Sequence, residues 1–260
     1  MTIFIIYRNQ NHKIKISMNN ISRRHFIKSS FLGLSGIMLT PNKLITGNDI
    51  SENDFLAQHP INEGNTDRPI VMLTYDDNGS YKQVQTILDA FNNHNVKATF
   101  FFIGEKIYSN SKAVRAIIAQ GHLFGFHGWK HINYLNLTEE KINEHIEKCF
   151  DAISEIDSNY LVKFIRFPYG LGYKNIDLLR ICGNWGLQHV YWTACSGGLD
   201  KQTYDNVVNN VRNGSIILSH MFRYYDVEYA DRIVGTLIDN GYLLRTVEAG
   251  RKYSDRYELR

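Results

Sequence analysis

The sequence is poor in cysteine and shows no tandem repeat. Its three cysteines, Cys149, Cys182 and Cys195, are widely spaced and form no C-x-x-C pair, so they do not describe a disulfide framework. One disulfide with one free thiol stays open, and we expect Cys149 and Cys182 to lie in helix cores. The uncharged stretch from Ser29 to Asn42 is too short to cross a bilayer as a helix.

Acidic residues are absent from the first 48 positions, and this absence accounts for the mildly basic chain. The formal net charge is +3, but the basic surplus belongs to the leader and the remainder is slightly acidic. The folded part therefore lacks the clustered Lys and Arg of a nucleic-acid-binding surface. With 260 residues and 43% hydrophobic content, the chain can bury the core of one domain.

Residues 1–47 have the order of an export signal. The stretch SRRHFIK, Ser22 to Lys28, precedes the uncharged run. It resembles a twin-arginine signal, S-R-R-x-F-x-K, which serves proteins exported already folded. The resemblance implies the twin-arginine export machinery as a partner and a periplasmic or extracellular location. Met18 is an alternative start, and because no A-x-A site is visible, retention by an uncleaved leader stays open.

The rest of the chain reads as a polar linker (48–67), a domain (68–250) and a polar tail (251–260). Within the domain, apolar segments alternate with segments of helical period. The predicted strands are Ile70–Thr74, Ala98–Ile103, His122–Phe126, Val162–Arg166, His189–Thr193, Ser215–Ser219 and Tyr242–Val247. Nearly unbroken apolar strands predict a mainly parallel sheet, and seven βα units predict an α/β fold that is a closed or nearly closed barrel.

Reactive side chains follow these strands at their carboxyl ends. They are Asp76 and Asp77, His127 and His131, Arg166, and His220. In a parallel α/β fold such ends meet on one face. An isolated H-x-x-x-H pair fits packed or surface histidines, but two imidazoles and a carboxylate on one face suit a metal with open positions.

Five motifs occur in order along the domain. They are LTYDDN (73–78), ATFFFIG (98–104), GHLFGFHGWKH (121–131), IRFPYG (165–170) and IILSHM (216–221). In order and spacing they resemble the motifs of the polysaccharide deacetylases, the NodB-homology domain of carbohydrate esterase family 4. The resemblance implies a distorted (β/α)7 barrel and a metal-dependent hydrolase. Its implied partner is an acetylated glycan, from which it would remove the acetyl groups of N-acetylated amino sugars.

The resemblance also implies roles for the matching residues. Asp77, His127 and His131 would hold the metal. Ligand chemistry favours zinc, although cobalt, nickel, iron and manganese are also accepted. Asp76 would be the general base that takes a proton from water, and Arg166 would hold Asp76.

On the other side of the substrate, His220 would be the general acid. Pro168 would fix the loop in which the backbone N–H of Tyr169 helps to hold the oxyanion. Trp192 is a candidate face for a sugar ring, although packing explains an aromatic side chain equally well.

The chain departs from the family pattern at three places, of which Asn78 in place of the usual Gly is a smaller change that a turn tolerates. Gly128 stands where the family usually has Ser or Thr, whose hydroxyl braces the loop. A further family motif, which we call the fourth motif, corresponds to residues 191–200 of this chain. In the family it usually supplies a carboxylate that tunes the acid histidine, but here Cys195 lies near that place. Either Asp200 reaches in from the loop or His220 works without a partner, which would lower the rate without abolishing metal binding.

Other functional classes stay open at this point. The altered fourth motif favours a glycan-binding protein on a degenerate fold. A non-haem iron oxygenase shares the two-histidine, one-carboxylate set but expects an antiparallel double sheet. A zincin peptidase would need the Glu of H-E-x-x-H. Peptidoglycan, poly-N-acetylglucosamine, chitin fragments and O-acetyl esters are all candidate substrates, and the oligomeric state is not indicated.

Overall fold

The computed structural model describes residues 3–9, 12–18 and 59–251 in two units, Met1–Asp49 and Ile50–Arg260. In the first unit, β1 (Ile3–Asn9) pairs antiparallel with β2 (His12–Met18). Their isoleucine-rich sequences are typical of strands, although no strand is predicted there from the sequence pattern. The twin-arginine stretch, residues 22–28, lies outside the described residues, as do most of the predicted linker and residues 252–260.

The second unit is built on one sheet of short parallel strands. They are β3 (Ile70–Asp77), β4 (Thr99–Phe102), β5 (Leu123–Phe126), β6 (Phe164–Ile165), β7 (Gln188–His189), β8 (Ala194–Cys195), β9 (Ile216–His220) and β10 (Leu243–Leu244). The order is β7-β6-β5-β4-β3-β9-β8, and β10 pairs with the start of β3. The predicted α/β class with a mainly parallel sheet is confirmed.

Helices alternate with these strands. They are α1 (Tyr81–Asn93), α2 (Ser111–Ala119), α3 (Glu139–Ile156), α4 (Ile176–Asn184), α5 (Thr203–Val208), α6 (Tyr224–Glu228), α7 (Ala230–Asp239) and α8 (Val247–Gly250). Thr138 is a predicted helix cap, and α3 begins directly after it, because the Thr138 side chain accepts a hydrogen bond from the N–H of Lys141. The spacing of Tyr204, Val207, Val208 and Val211 predicts a helix as well, but α5 ends at Val208.

The fifth predicted strand, residues 189–193, is only partly realised. The two-residue strand β7 ends at His189, the first residue of this segment, and the two-residue strand β8 begins at Ala194, just after it. Between them the backbone turns to other partners: the N–H of Tyr191 donates to the carbonyl of Ile61, and that of Thr193 donates to the carbonyl of Ile216. These tertiary contacts override the local strand preference.

Apolar residues fill both faces of the sheet. The larger cluster joins the sheet to the helices, and a smaller one lies on the other face. Adjacent residues of β3 alternate between them, with Met72 in the smaller cluster and Leu73 in the larger. Burying one such side chain contributes about 1.5–3 kcal/mol. Every residue of β3 is buried, and Thr74 is the one polar residue of the strand before Asp76, so the strand reads as a nearly unbroken apolar run.

Residues 59–66 belong to the domain rather than to a free linker. Ile61 is buried and forms a parallel bridge with Val190, while Gly64 forms an antiparallel bridge with Arg251. Cys149 and Cys182 lie in helix cores as expected, and all three cysteines are free thiols. In the part of the chain that the structure describes, no helix has the length and apolar character needed to cross a membrane.

Candidate active site

The polar residues at the strand ends are brought together at one edge of the sheet. Asp76, near the end of β3, is opposite His220, the last residue of β9, in the parallel register. His127 follows β5, and Arg166 follows β6. These strands lie close together in the sheet, so their carboxyl ends open onto a shared face.

The two adjacent carboxylates on β3 face different partners. Asp77 has a left-handed backbone with φ of 73°, which costs a non-glycine residue about 1–2 kcal/mol. Its Oδ1 lies 3.5 Å from Nε2 of His127 and 3.3 Å from Nε2 of His131. By contrast, Oδ1 of Asp76 lies 2.7 Å from Nη1 of Arg166. One carboxylate therefore lies beside two imidazoles and its neighbour beside a guanidinium.

Asp77, His127 and His131 form a cluster that suits a divalent metal. One ligand atom from each residue lies within 4.8 Å of the others. Asp77 and His127 are buried, whereas the side chain of His131 is 37% exposed, which leaves the cluster accessible on that side. One carboxylate and two imidazoles with an open side fit the donor set of a catalytic metal.

The tautomer of His127 also fits metal binding. Its Nδ1 lies 2.8 Å from the backbone carbonyl oxygen of Arg166. A carbonyl only accepts, so Nδ1 carries the proton and Nε2 keeps a lone pair towards Asp77. Burial lowers the pKa of His127, and the carboxylates of Asp76 and Asp77 offset this only in part. The neutral ring is the form that binds metals.

Arg166 is fully buried and is held by four acceptors. Nη1 donates to Oδ1 of Asp76 and to Oγ1 of Thr74, both at 2.7 Å. Nε and Nη2 donate to the backbone carbonyls of Val190 and Tyr191 at 3.2 and 3.0 Å. Burial lowers the pKa of Arg166 and the Asp76 carboxylate raises it, but an arginine remains charged. These contacts hold the Asp76 carboxylate in one orientation.

Aromatic rings cover the guanidinium of Arg166. Its central carbon lies 4.4 Å from the ring centroid of Phe101 and 5.6 Å from that of Trp192. Trp192 stacks on Tyr191 with centroids 4.2 Å apart, and Tyr191 stacks on Tyr173 at 4.4 Å. Part of the Trp192 surface is therefore used for internal packing.

The loop after β6 places Tyr169 beside the metal-suited cluster. Pro168–Gly170 forms a short 3-10 turn in which Tyr169 is left-handed, with φ of 61°. The Tyr169 ring lies 4.6 Å from the His131 ring, and its hydroxyl donates to the backbone carbonyl of His131 at 3.4 Å. Pro168 is buried, whereas Tyr169 is 66% exposed, so this side chain can reach a ligand.

Comparisons with known proteins identify the family. The family model for polysaccharide deacetylases matches residues 63–190. A chitooligosaccharide deacetylase from Rhizobium leguminosarum bv. trifolii is 30% identical over 170 residues, which cover 64% of this chain and 78% of that protein. The chain belongs to the polysaccharide deacetylase family.

A further relative and a solved structure are similar to this chain in sequence and in fold. A peptidoglycan-N-acetylglucosamine deacetylase from Bacillus cereus is 34% identical over 155 residues, 58% of this chain but only 55% of that protein. A solved structure of a peptidoglycan N-acetylglucosamine deacetylase has a TM-score of 0.68 and 28% identity over 74% of this chain and 92% of that one. The predicted fold, the distorted (β/α)7 barrel, is confirmed.

A family 4 pseudoenzyme from Bacillus anthracis is similar in fold alone. It has a TM-score of 0.68 at 22% identity over 76% of this chain and 69% of that one. The parallel fold of this polysaccharide deacetylase excludes the antiparallel double sheet expected of a non-haem iron oxygenase.

At Gly128, where the resemblance leads us to expect Ser or Thr, another hydroxyl occupies the space. Gly128 is left-handed, with φ of 70°, and a Cβ there would lie 2.6 Å from the hydroxyl oxygen of Tyr134. That hydroxyl accepts a hydrogen bond from the N–H of Trp129 at 2.6 Å and lies 3.2 Å from Nδ1 of His145. Tyr134 therefore braces the loop between the two histidines of the metal-suited cluster.

At the fourth motif, a carboxylate approaches His220 from α6. Oδ2 of Asp226 accepts a hydrogen bond from the backbone N–H of His220 at 2.8 Å and lies 3.5 Å from its Nδ1. Asp200, the partner that the sequence offered, is exposed and accepts from the N–H of Gln202 at 2.8 Å. Cys195 is exposed and does not replace the carboxylate.

Sequence reasoning therefore missed Tyr134 and Asp226. Each lies six residues after a predicted site residue, Gly128 or His220, and outside the five motifs. The sequence signal near each of them is a glycine, Gly128 in the stretch 121–131 and Gly198 in the fourth motif, which leaves space for a side chain from elsewhere.

Proposed function

We propose that this protein hydrolyses acetyl groups from the N-acetylated amino sugars of a polysaccharide. The observation that carries the proposal is the pairing of two carboxylates with different surroundings. Asp77 lies with His127 and His131, and Asp76 lies on Arg166. Amide hydrolysis requires a strengthened nucleophile, a stabilised oxyanion and an acid for the departing amine.

Asp77, His127 and His131 would hold the divalent metal. Their donor set favours zinc, with cobalt, nickel, iron and manganese as alternatives. When bound, the metal supplies a Lewis acid that polarises the acetyl carbonyl and acidifies water. The exposed edge of His131 provides the side from which substrate approaches.

Asp76 is the proposed general base. Its Oδ1 is engaged by Arg166 at 2.7 Å, while Oδ2 lies 3.8 Å from Nδ1 of His127. The buried guanidinium forms a charge-assisted hydrogen bond with this carboxylate and restricts its rotation. Oδ2 is therefore the oxygen that can accept a proton from water during attack on the acetyl carbon.

On the other side of the scissile bond, His220 is the proposed general acid. Its place opposite Asp76 in the sheet register puts an acid and a base at adjacent strand ends. The backbone N–H of Tyr169 would hold the oxyanion. Its direction is set by the turn that Pro168 begins and in which Tyr169 is left-handed. Trp192 is the proposed aromatic contact for a sugar ring.

The proposed substrates are polymers or oligomers of N-acetylglucosamine. The similar proteins include a chitooligosaccharide deacetylase and a peptidoglycan-N-acetylglucosamine deacetylase. We place the enzyme in the periplasm or outside the cell, delivered by the twin-arginine machinery with its site already folded. Continued export of a variant with Arg23 and Arg24 both changed to Lys would contradict this route.

A glycan-binding protein on a catalytically weakened fold is the second candidate. The altered fourth motif favours it. The retained Asp76, Asp77 and Arg166 favour the enzyme, because binding a glycan does not require an arginine-held carboxylate beside a metal-suited cluster.

Acetate release separates the two candidates. We would incubate the full chain with N-acetylglucosamine oligosaccharides before chelation, after chelation and after zinc is restored. The enzyme predicts release that chelation removes and zinc recovers. Oligosaccharide binding by the zinc-loaded protein without acetate release would favour the binding protein instead.

A further inference from the structure

Asp226 is a buried acid that lacks, in the described part of the chain, most of the partners a buried carboxylate usually has. It is 1% exposed, and its Oδ1 has no hydrogen-bond partner in residues 59–251. Within the same residues its ion-pair partner is His220, with Oδ2 and Nδ1 3.5 Å apart, and no Lys or Arg pairs with it. Burying a carboxylate is unfavourable unless it is paired, so this position calls for a specific role.

The imidazole of His220 also lacks a hydrogen-bond partner at one ring nitrogen in residues 59–251. Its Nδ1 is buried without a hydrogen-bond partner among the described residues. The nearby Oδ2 of Asp226 already accepts the backbone N–H of His220 at 2.8 Å, which anchors the carboxylate beside the ring. A small rotation of the ring brings Nδ1–H into hydrogen-bond distance of this oxygen.

The fourth-motif loop is shaped to admit Asp226. Gly198 is buried and left-handed, with φ of 66°, and a Cβ there would collide with Oδ2 of Asp226. The same Cβ would lie 2.7 Å from Cδ of Arg223. Arg223 donates to the backbone carbonyl of Gly197 and so ties the loop to the segment that carries Asp226.

We propose that Asp226 is the positioning residue of His220 and takes the place of the carboxylate missing from the fourth motif. The inference rests on the proposed function, in which His220 is the acid. Asp226 accepts a hydrogen bond from Nδ1–H and fixes the ring in one tautomer. The opposite nitrogen, Nε2, then takes up a proton, and the imidazolium gives that proton to the departing amine and returns to the neutral Nδ1–H form.

A purely structural role is the competing explanation, because Oδ2 also closes the turn between β9 and α6. Asp226→Asn distinguishes the two. The amide oxygen at the position of Oδ2 can still accept the backbone N–H of His220, but a neutral amide is a weaker acceptor for Nδ1–H and removes the negative charge beside the ring. Asp200→Asn is the matched control, since Asp200 carries the same charge on the exposed fourth-motif loop.

Kinetics of the zinc-loaded full chain provide the first test. We expect Asp226→Asn to lower kcat about 10- to 100-fold, with KM and zinc content unchanged and with wild-type thermal unfolding. Asp200→Asn should retain the wild-type kcat. Wild-type kcat in Asp226→Asn would overturn the proposal. A loss of kcat that is fully explained by lower thermal stability of that variant would also overturn it.

Nitrogen NMR of the His220 ring provides a test that needs no turnover and uses the wild-type chain. We assign the signals by comparison with His220→Gln. The proposal predicts that Nδ1 carries the proton in the neutral ring; a proton on Nε2 instead would overturn it. The Nδ1–H tautomer in a protein that releases no acetate would support the positioning role while rejecting the proposed function.

Discussion

Two glycine positions of the site, Gly128 and Gly198, differ in what fills the space beside them. At Gly128 the space holds the hydroxyl of Tyr134, and at Gly198 it holds the carboxylate of Asp226. The hydroxyl accepts a backbone N–H at 2.6 Å, so it fixes a loop. The carboxylate accepts the backbone N–H of His220 and also lies beside a ring nitrogen of that residue, so it contacts an ionisable side chain.

The difference divides the site into two halves. The metal half consists of the candidate ligands and the loop that Tyr134 braces. The acid half consists of His220 and Asp226. A neutral brace affects how firmly ligands are held, whereas a charged partner affects proton donation. Variants in one half should therefore leave the property of the other half unchanged.

Arg166→Met is expected to have the largest effect, because it removes the buried charge that holds the proposed base. The guanidinium donates to Asp76 and Thr74, and both bonds are lost in the variant. Breaking a buried ion pair on one side costs about 3–5 kcal/mol. Urea unfolding should show this loss, with acetate release abolished. A variant with wild-type stability and activity would contradict the role of Arg166 in holding the base.

Alanine at the two glycines should come next in size. We expect Gly128→Ala and Gly198→Ala each to lose about 2–4 kcal/mol of unfolding free energy, from left-handed strain and from steric overlap. Gly186→Ala is the control: Gly186 has φ of 68°, but nothing lies within 4 Å of a Cβ there. Its cost should be only about 1 kcal/mol. Equal losses in all three variants would show that the filled spaces do not matter.

Tyr134→Phe should have a smaller and more selective effect. Loss of the hydroxyl leaves the N–H of Trp129 without its partner and should cost about 1–2 kcal/mol in stability. The looser loop should weaken zinc affinity about 10-fold, measured by competition with a chelator. The His220 tautomer should not change. A change in that tautomer would break the division into two halves.

Much of the fold follows from local sequence pattern. The apolar runs of β3, β4 and β9 predict buried parallel strands, and the periodicities of α1 and α3 predict amphipathic helices. Residues 188–195 could not be predicted in the same way, because the bonds of Tyr191 and Thr193 to Ile61 and Ile216 are tertiary. The same limit applies to residues 59–66, whose polar composition resembles a linker.

The candidate site could be predicted where adjacent residues carry the information. Strand ends and motif spacing indicate Asp76, Asp77 and Arg166 together. Asp226 could not be predicted, because it reaches His220 only through the turn into α6, and the sequence offered Asp200 as an equally placed acid. Only the structure shows that Gly198 leaves space for the carboxylate of Asp226 and that Asp200 is exposed to solvent.

The most direct test of the account is zinc content and acetate release measured together on Asp77→Ala and Asp76→Asn. The two residues are adjacent in the chain, and we assign Asp77 to metal binding and Asp76 to proton transfer. Asp77→Ala should lose both zinc and acetate release, whereas Asp76→Asn should retain zinc and lose acetate release. Wild-type zinc content in Asp77→Ala, or full acetate release by Asp76→Asn, would contradict the account.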